Sequence, residues 1–347
     1  MQFFLKKKAL SLCVAAAVLL SAAAWCFGRT AESPEAEEAE AQVAEQQQKF
    51  IKWLEFDVPE EALSRALGYD IKSRQEAVQL HWIELLAYLA AKNGGDFSGY
   101  KAADLDELVG KLKGGATMEE LTCDMKYYAH YLEGYTAVLG GMAGDFEAET
   151  EENGVKTVQR KYGLKAFSPI AAGYGYSHYD DFGNSRTYGF ARKHLGNDLM
   201  GSVGTPIVAV ESGTVEALGW NQYGGWRIGI RSSDSNRYYY YAHLRKDRPY
   251  VKDLHIGQQV TAGDVIGYLG MSGYSTKENV NNINQPHLHF GIQIIFDESQ
   301  KDGNNEIWID CYHIVNFLQK HRSAVRKNAE TGDFERMYSF RDPGMYE

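Results

Sequence analysis

Pro286-His287-Leu288-His289-Phe290-Gly291-Ile292-Gln293-Ile294 is the stretch on which the fold turns. Side chains alternate along a strand with period two. One face of this run therefore carries His287, His289, Gly291 and Gln293, and the other carries Leu288, Phe290, Ile292 and Ile294. A strand of that pattern sinks an apolar face into a core and presents two imidazoles on the opposite side. Upstream stands His194-Leu195-Gly196-Asn197-Asp198. Together the two stretches supply a mixed nitrogen and oxygen ligand set of the kind that suits zinc, which points to a metal-dependent hydrolase.

The same texture extends backwards from the His-x-His strand. Short β-rich runs at 207–219, 226–232, 238–244 and 260–270, punctuated by glycine, precede the run at 287–296. That spacing predicts an antiparallel β domain. In the 238–244 run, His243 follows Tyr239 and Tyr241 on one face, while Tyr238, Tyr240 and Ala242 fill the other. A helical segment beginning at Cys311 and running to about 327 closes this β-rich domain, 146–327, and residues 328–347 read as a loose tail.

Before residue 146 the period becomes helical. Ser73-Arg74-Gln75-Glu76 and Thr117-Met118-Glu119-Glu120 have the form of capping boxes. The first precedes Val78, Trp82, Leu85, Leu86 and Leu89 at the spacing of one helix face, stopped by Asn93-Gly94-Gly95; the second precedes Leu121, Tyr128, Tyr131, Leu132 and Leu139. A shorter helix is predicted over 102–113, ending at Gly114-Gly115. Residues 49–145 are thus expected to form a small helical accessory domain, and 29–48, rich in Ala, Glu and Gln, a solvated stalk. Lys6-Lys7-Lys8 precede an almost uncharged stretch over 9–28, long enough to span a bilayer. The lysines favour an N-terminus inside and the bulk of the chain outside. Ala22-Ala23-Ala24 would serve as a cleavage site, so 1–28 is a membrane anchor or a cleaved signal segment. Either way the working part is exported.

The expected fold class is therefore α+β and multidomain: an N-terminal transmembrane or signal helix, a small helical bundle and a C-terminal antiparallel β domain. A formal net charge of −10 speaks against a nucleic-acid partner. Cys13 and Cys26 fall in the leader, and Cys123 and Cys311 are too few for a disulfide framework or a cysteine zinc cage. Gly270-Met271-Ser272-Gly273-Tyr274 lacks the final glycine of a serine-hydrolase nucleophile elbow.

Taken in chain order, the His194 to Asp198 motif, Tyr241-Ala242-His243-Leu244, Gly263-Asp264-Val265-Ile266-Gly267 and the Pro286 to Phe290 strand resemble the lysostaphin-like zinc metallopeptidases, endopeptidases of bacterial cell walls. The resemblance covers about 190–297 and is silent on the helical domain. It implies that the β domain has the lysostaphin-like peptidase fold and that one Zn2+ per chain is held by His194, Asp198 and His289. It also implies catalytic roles for His287 and His243 on water and transition state. Three protein ligands leave a fourth position for water, the arrangement of a catalytic site, and zinc lowers the pKa of that water toward neutrality. A neutral imidazole at 287 or 243 takes the water proton; a protonated one feeds the leaving amine. Which of the two is the base stays open.

The implied activity is zinc-dependent hydrolysis of peptide bonds in peptidoglycan. The implied partners are wall peptides, the membrane through the N-terminal segment, and an envelope partner for the helical domain. The implied location is the cell membrane with the C-terminal domain outside, or secretion after signal cleavage. The rival is a catalytically silent envelope scaffold or an activator of another wall hydrolase. Such a protein is expected to lose metal ligands, and this chain retains all three with both auxiliary histidines. His81, His130, His178, His255, His313 and His321 lack such a context. Two departures from the family stand out: the extended segment 277–285 before the His-x-His strand, and Gly291 where an acidic residue is common.

Overall fold

The computed structural model describes residues 50–187, 191–301, 303 and 305–345. The segment 1–28, expected as anchor or signal, and the stalk at 29–48 lie outside the described residues. Among those described, no helix is long and apolar enough to cross a membrane.

Among the described residues five helices come first: α1 (Glu60–Ser73), α2 (Trp82–Asn93), α3 (Ala102–Lys113), α4 (Met118–Thr122) and α5 (Tyr128–Leu139). α3 has the predicted bounds, with Leu105, Leu108, Val109 and Leu112 buried along one face. The Thr117 capping box forms: Thr117 Oγ1 accepts from Glu120 N at 3.1 Å, and Glu120 Oε2 accepts from Thr117 N at 2.8 Å. It opens only the short α4, however, and α5 starts afresh at Tyr128. The Ser73 box does not form. Ser73 ends α1, and its buried hydroxyl donates to Asp70 O at 2.7 Å and accepts from Leu80 N at 2.9 Å. Asp70 Oδ2 accepts from Trp82 N at 3.1 Å, so a carboxylate from the preceding helix satisfies an orphan N–H at the start of α2. Buried tertiary partners have displaced a local motif.

A long hairpin, β1 (Ala143–Glu152) and β2 (Val155–Leu164), leads into the β-rich part. It continues with β3 (Ser177–His178), β4 (Ser185–Thr187), β5 (Ala191–Lys193), β6 (Asn197–Met200), β7 (Pro206–Val208), β8 (Gly213–Asn221), β9 (Gly225–Ser232), β10 (Arg237–Ala242), β11 (Gln259–Val260), β12 (Val265–Tyr268), β13 (His287–Ile294) and β14 (Ile307–Ile309). The central sheet is antiparallel, in the order β11-β8-β9-β10-β13-β6-β3, with β14 also pairing β13. Leu288, Phe290, Ile292 and Ile294 of β13 are fully buried beside Tyr239, Tyr241, Ile228 and Ile230 of the neighbouring strands. Each such side chain contributes roughly 1.5–3 kcal/mol. That inner face commits His287 and His289 to the other side of the sheet.

The helices and the sheet share one hydrophobic core. Arg237, fully buried, ties them together: it binds Glu211 through two hydrogen bonds of 2.8 and 3.0 Å and donates to Ala137 O at the end of α5. The C-terminal region differs from the reading of the sequence. After β14 the helix α6 covers only Tyr312–Leu318 and gives way to β15 (Val325–Lys327). The segment read as a loose tail carries β16 (Phe334–Arg336), paired with β15, and β17 (Phe340–Arg341), which adds to β1. Phe340 is buried there, stacked on Phe146 at 5.2 Å. Strands of two or three residues are too short to show periodicity, so the sequence does not announce them. Cys123 and Cys311 are both free thiols.

Candidate metal centre

Strand register builds the centre. On β13, His289 stands directly across from Asp198 of β6 and from Ala242 of β10. His194 lies in the turn that enters β6. His194 Nε2 is 3.1 Å from Asp198 Oδ1 and 2.9 Å from His289 Nδ1, which is 3.2 Å from the same carboxylate oxygen. Zinc bonds of about 2.0–2.1 Å in a tetrahedron set donor atoms roughly 3.3 Å apart. The spacing fits a metal, and so does the donor chemistry: lone pairs of two imidazoles and a carboxylate converge, and only a cation or a shared proton relieves them.

The tautomers are determined by backbone carbonyls. His194 Nδ1 is 3.0 Å from Asp181 O. A carbonyl only accepts, so Nδ1 carries the hydrogen and Nε2 turns its other face to the centre. Without metal, burial opposes a charge on His194, but hydrogen bonds to Asp181 and Asp198 outweigh it and push the group up to about 9. Asp198 is likewise buried, yet His194 and His289 hold its carboxyl far below the usual range. Burial lowers His289, with Asp198 partly offsetting it. The metal-free centre therefore keeps a proton between His194 and Asp198, and a metal must displace it.

Two residues that spacing did not reveal support these groups. Asp181 Oδ1 accepts from Asp198 N at 3.2 Å, while its Oδ2 lies 3.3 Å from His194 Nδ1. Arg186, on β4, donates to Asp181 Oδ2 at 2.7 Å and to Asp198 Oδ2 at 3.3 Å. The stretch Tyr179-Asp180-Asp181 has no periodicity or motif to mark it. Such outer carboxylates orient ligating histidines, so Asp181→Asn should weaken metal affinity about 10–100-fold. Competition with a chromogenic chelator measures this; an unchanged affinity would mean that the Asp181 carbonyl orients the ring unaided.

His287 and His243 face the same centre. His287 Nε2 is 3.7 Å from Asp198 Oδ1, and its Nδ1 is 2.9 Å from Gln285 O. His243 Nδ1 is 2.9 Å from Ser272 O. Both rings therefore donate through Nδ1, which leaves Nε2 as the nitrogen on the other side of each ring. Their centroids are 4.8 Å apart, and His243 is 5.9 Å from His289. Burial, then the adjacent His287 and His289, hold His243 well below the ordinary imidazole range, so it is neutral at pH 7.

Strand alternation is not what brings His243 here. Tyr239 and Tyr241 point into the core, and a longer β10 would send His243 after them. Instead the strand ends at Ala242, and His243 has φ +62°, which turns its ring to the other side. That left-handed conformation costs roughly 1–2 kcal/mol, and such residues cluster at functional sites.

Gly196 has a steric reason to be glycine. A Cβ there would lie 2.6 Å from Phe290 O and 2.8 Å from His289 Cε1. Gly196→Ala should displace the His289 ring, lower metal affinity at least about tenfold and cost about 1–3 kcal/mol of stability. Metal titration and thermal denaturation check this; wild-type values in both would show that the ring has room. Gly291 is similar, its missing Cβ falling 2.9 Å from Leu195 O and from the Trp308 ring. The acidic side chain common at that position has no space here.

In the segment 277–285 the asparagines divide. Asn279 accepts from Trp226 Nε1 and Asp247 N, both at 2.9 Å, and Asn282 donates to Tyr274 O at 2.7 Å, so those amides hold the loop itself. Ile283, Asn284 and Gln285 instead line an open cleft of about 560 Å³ with Asp198 and His287. The remaining histidines do not join the centre: His178 bonds Asn316, and His321 bonds Ala166 O.

Residues 192–304 match Peptidase family M23. The L-Ala–D-Glu endopeptidase of Bacillus subtilis (strain 168) is 40% identical over 159 residues, which are 46% of this chain and 45% of that protein. Lysostaphin of Staphylococcus simulans is 38% identical over 98 residues, 28% of this chain and 17% of that one. The chain thus spans less than half the length of these curated relatives. A solved structure from Ruminococcus gnavus, of a candidate glycyl-glycine endopeptidase, shares the fold with a TM-score of 0.50 at 23% identity, covering 76% of this chain and 89% of that one. Residues 192–304, which carry this centre, are thus a lysostaphin-like domain of Peptidase family M23.

Proposed function

We propose that the chain is a zinc-dependent endopeptidase acting on the peptides of bacterial peptidoglycan, with one Zn2+ held by His194, Asp198 and His289. The observation that carries this reading is the pair His243 and His287: two imidazoles with fixed tautomers beside a three-donor centre. A structural zinc site closes with four protein ligands and has no use for such a pair. Relatives named L-Ala–D-Glu endopeptidase, lysostaphin and, in Vibrio cholerae, peptidoglycan DD-endopeptidase support the substrate class.

When bound, zinc supplies a Lewis acid that polarises the scissile carbonyl and makes water at the site acidic. The residues of the chain do the rest. Asp198 keeps its charge among two imidazoles, leaving a net single positive charge at the loaded centre. Asp181 and Arg186 hold His194 and Asp198 in place. One of His243 and His287 takes the proton from water at Nε2, and the pair returns it to the leaving amine, each anchored through Nδ1 so that the ring does not turn. About one zinc per purified chain, and new amino termini when purified peptidoglycan is added, are the expected results. Intact peptidoglycan after incubation with the loaded chain would leave the silent-scaffold reading instead.

The same reading puts the working part outside the cytoplasmic membrane, behind a segment that is either retained or cleaved, with residues 49–145 available to an envelope partner. Protease added to wall-free cells should degrade the C-terminal domain; a protected domain would overturn export and with it the wall substrate.

A further inference from the structure

Beyond His289, on the side away from His287, the open face of the central sheet forms a second cleft of about 510 Å³. Tyr240 and Trp308 wall it, their rings 6.1 Å apart, and Tyr240 lies 5.9 Å from His289. Two guanidinium groups enter it. Arg227 gets there by alternation on β9, since Ile228 and Ile230 face the core. Arg192, on β5, donates to Tyr274 OH at 2.6 Å and lies over the rings of Tyr223 and Tyr274 at 5.5 and 5.3 Å.

Both cations are positioned, and among the described residues neither forms an ion pair. Arg192 Nε and Arg227 Nε are buried and have no hydrogen-bond partner among the described residues. The carboxylate among the described residues lining the cleft, Glu306, accepts from Trp308 Nε1 at 2.7 Å instead. A buried donor left unpaired is costly, and a guanidinium beside aromatic walls matches a carboxylate with two parallel hydrogen bonds. Resting on the endopeptidase reading, we propose that this cleft is a subsite for a free carboxylate on the substrate peptide, close to the scissile bond. The chain then selects acidic stem peptides over peptides that lack a carboxylate at that place.

Two synthetic peptides test this, both containing an L-Ala–D-Glu bond and differing only in whether the glutamyl residue keeps its free carboxylate or carries a carboxamide. Calorimetry on the metal-stripped chain, where turnover is absent, should show the carboxylate peptide binding about 10–100-fold more tightly. The zinc-loaded chain should show a similar ratio in kcat/KM. Arg227→Gln should bring both ratios to within about twofold of unity, and Arg227→Lys should keep part of them, since it retains the charge without the planar fork. Melting temperature and zinc content verify that each variant is folded, and the wild-type ratio stands as a test even if one is not. Equal binding of the two peptides by the wild-type chain would overturn the subsite, as would an undiminished ratio in folded Arg227→Gln. Selective binding with neither peptide cut would support the subsite and sink the endopeptidase reading instead.

Discussion

Asp198→Ala should lose metal and activity together. The substitution removes one donor of three and the only anion among them, leaving two imidazole nitrogens 2.9 Å apart with nothing between them. Loss of an outer residue costs about 10–100-fold in metal affinity; loss of this ligand should cost well beyond that. Asp198 is not part of the apolar core, and its neighbour Leu199 fills that role, so the fold should persist by circular dichroism. Elemental analysis of the purified variant and hydrolysis of purified peptidoglycan are the measurements. A folded variant that keeps stoichiometric zinc would refute the ligand assignment.

The second large effect separates proton transfer from metal binding. His287→Ala and His243→Ala should each retain zinc while kcat falls by about 10²–10⁴, the usual scale of a general acid–base contribution. Loss of His243, which burial holds well below the ordinary imidazole range, should also remove the acid limb of the pH dependence of kcat/KM. The two variants differ in stability. His243 is buried and donates to Ser272 O, so its loss strands a carbonyl at a cost of about 1–3 kcal/mol. The His287 ring, which bonds Gln285 O at the mouth of the site, should be cheaper to remove. A variant of either kind that comes out folded but free of metal would make that histidine a ligand and reverse the roles.

Much of this centre could be read from residue order because it depends on period two. The run from His287 to Ile294 has one wholly apolar face, and burying it obliges His287 and His289 to share the other. His194 and Asp198 came with them through a motif whose glycine is required by the close approach of His289. The helix α3 was legible for the same reason, its leucines marking one face between clear stop signals. Where several local signals competed, the sequence was less reliable. Ser73 has the form of a helix start and ends a helix, because Asp70 and Leu80 meet it in the folded chain.

By itself, then, the sequence determined which apolar face of the His-x-His strand is buried and which two imidazoles that leaves on the other side. Tertiary structure alone decided the rest. It turned His243 out of the core through one left-handed residue, and it paired β17 with a hairpin nearly two hundred residues earlier in the chain. It also set Asp181 and Arg186 behind His194 and Asp198, and left the Nε atoms of Arg192 and Arg227 without a partner among the described residues. The physical reason is that periodicity records only which side of an element is buried, whereas a second layer of contacts depends on where a turn ends and what the opposite strand presents. Those are properties of the folded surface, and no spacing along the chain encodes them.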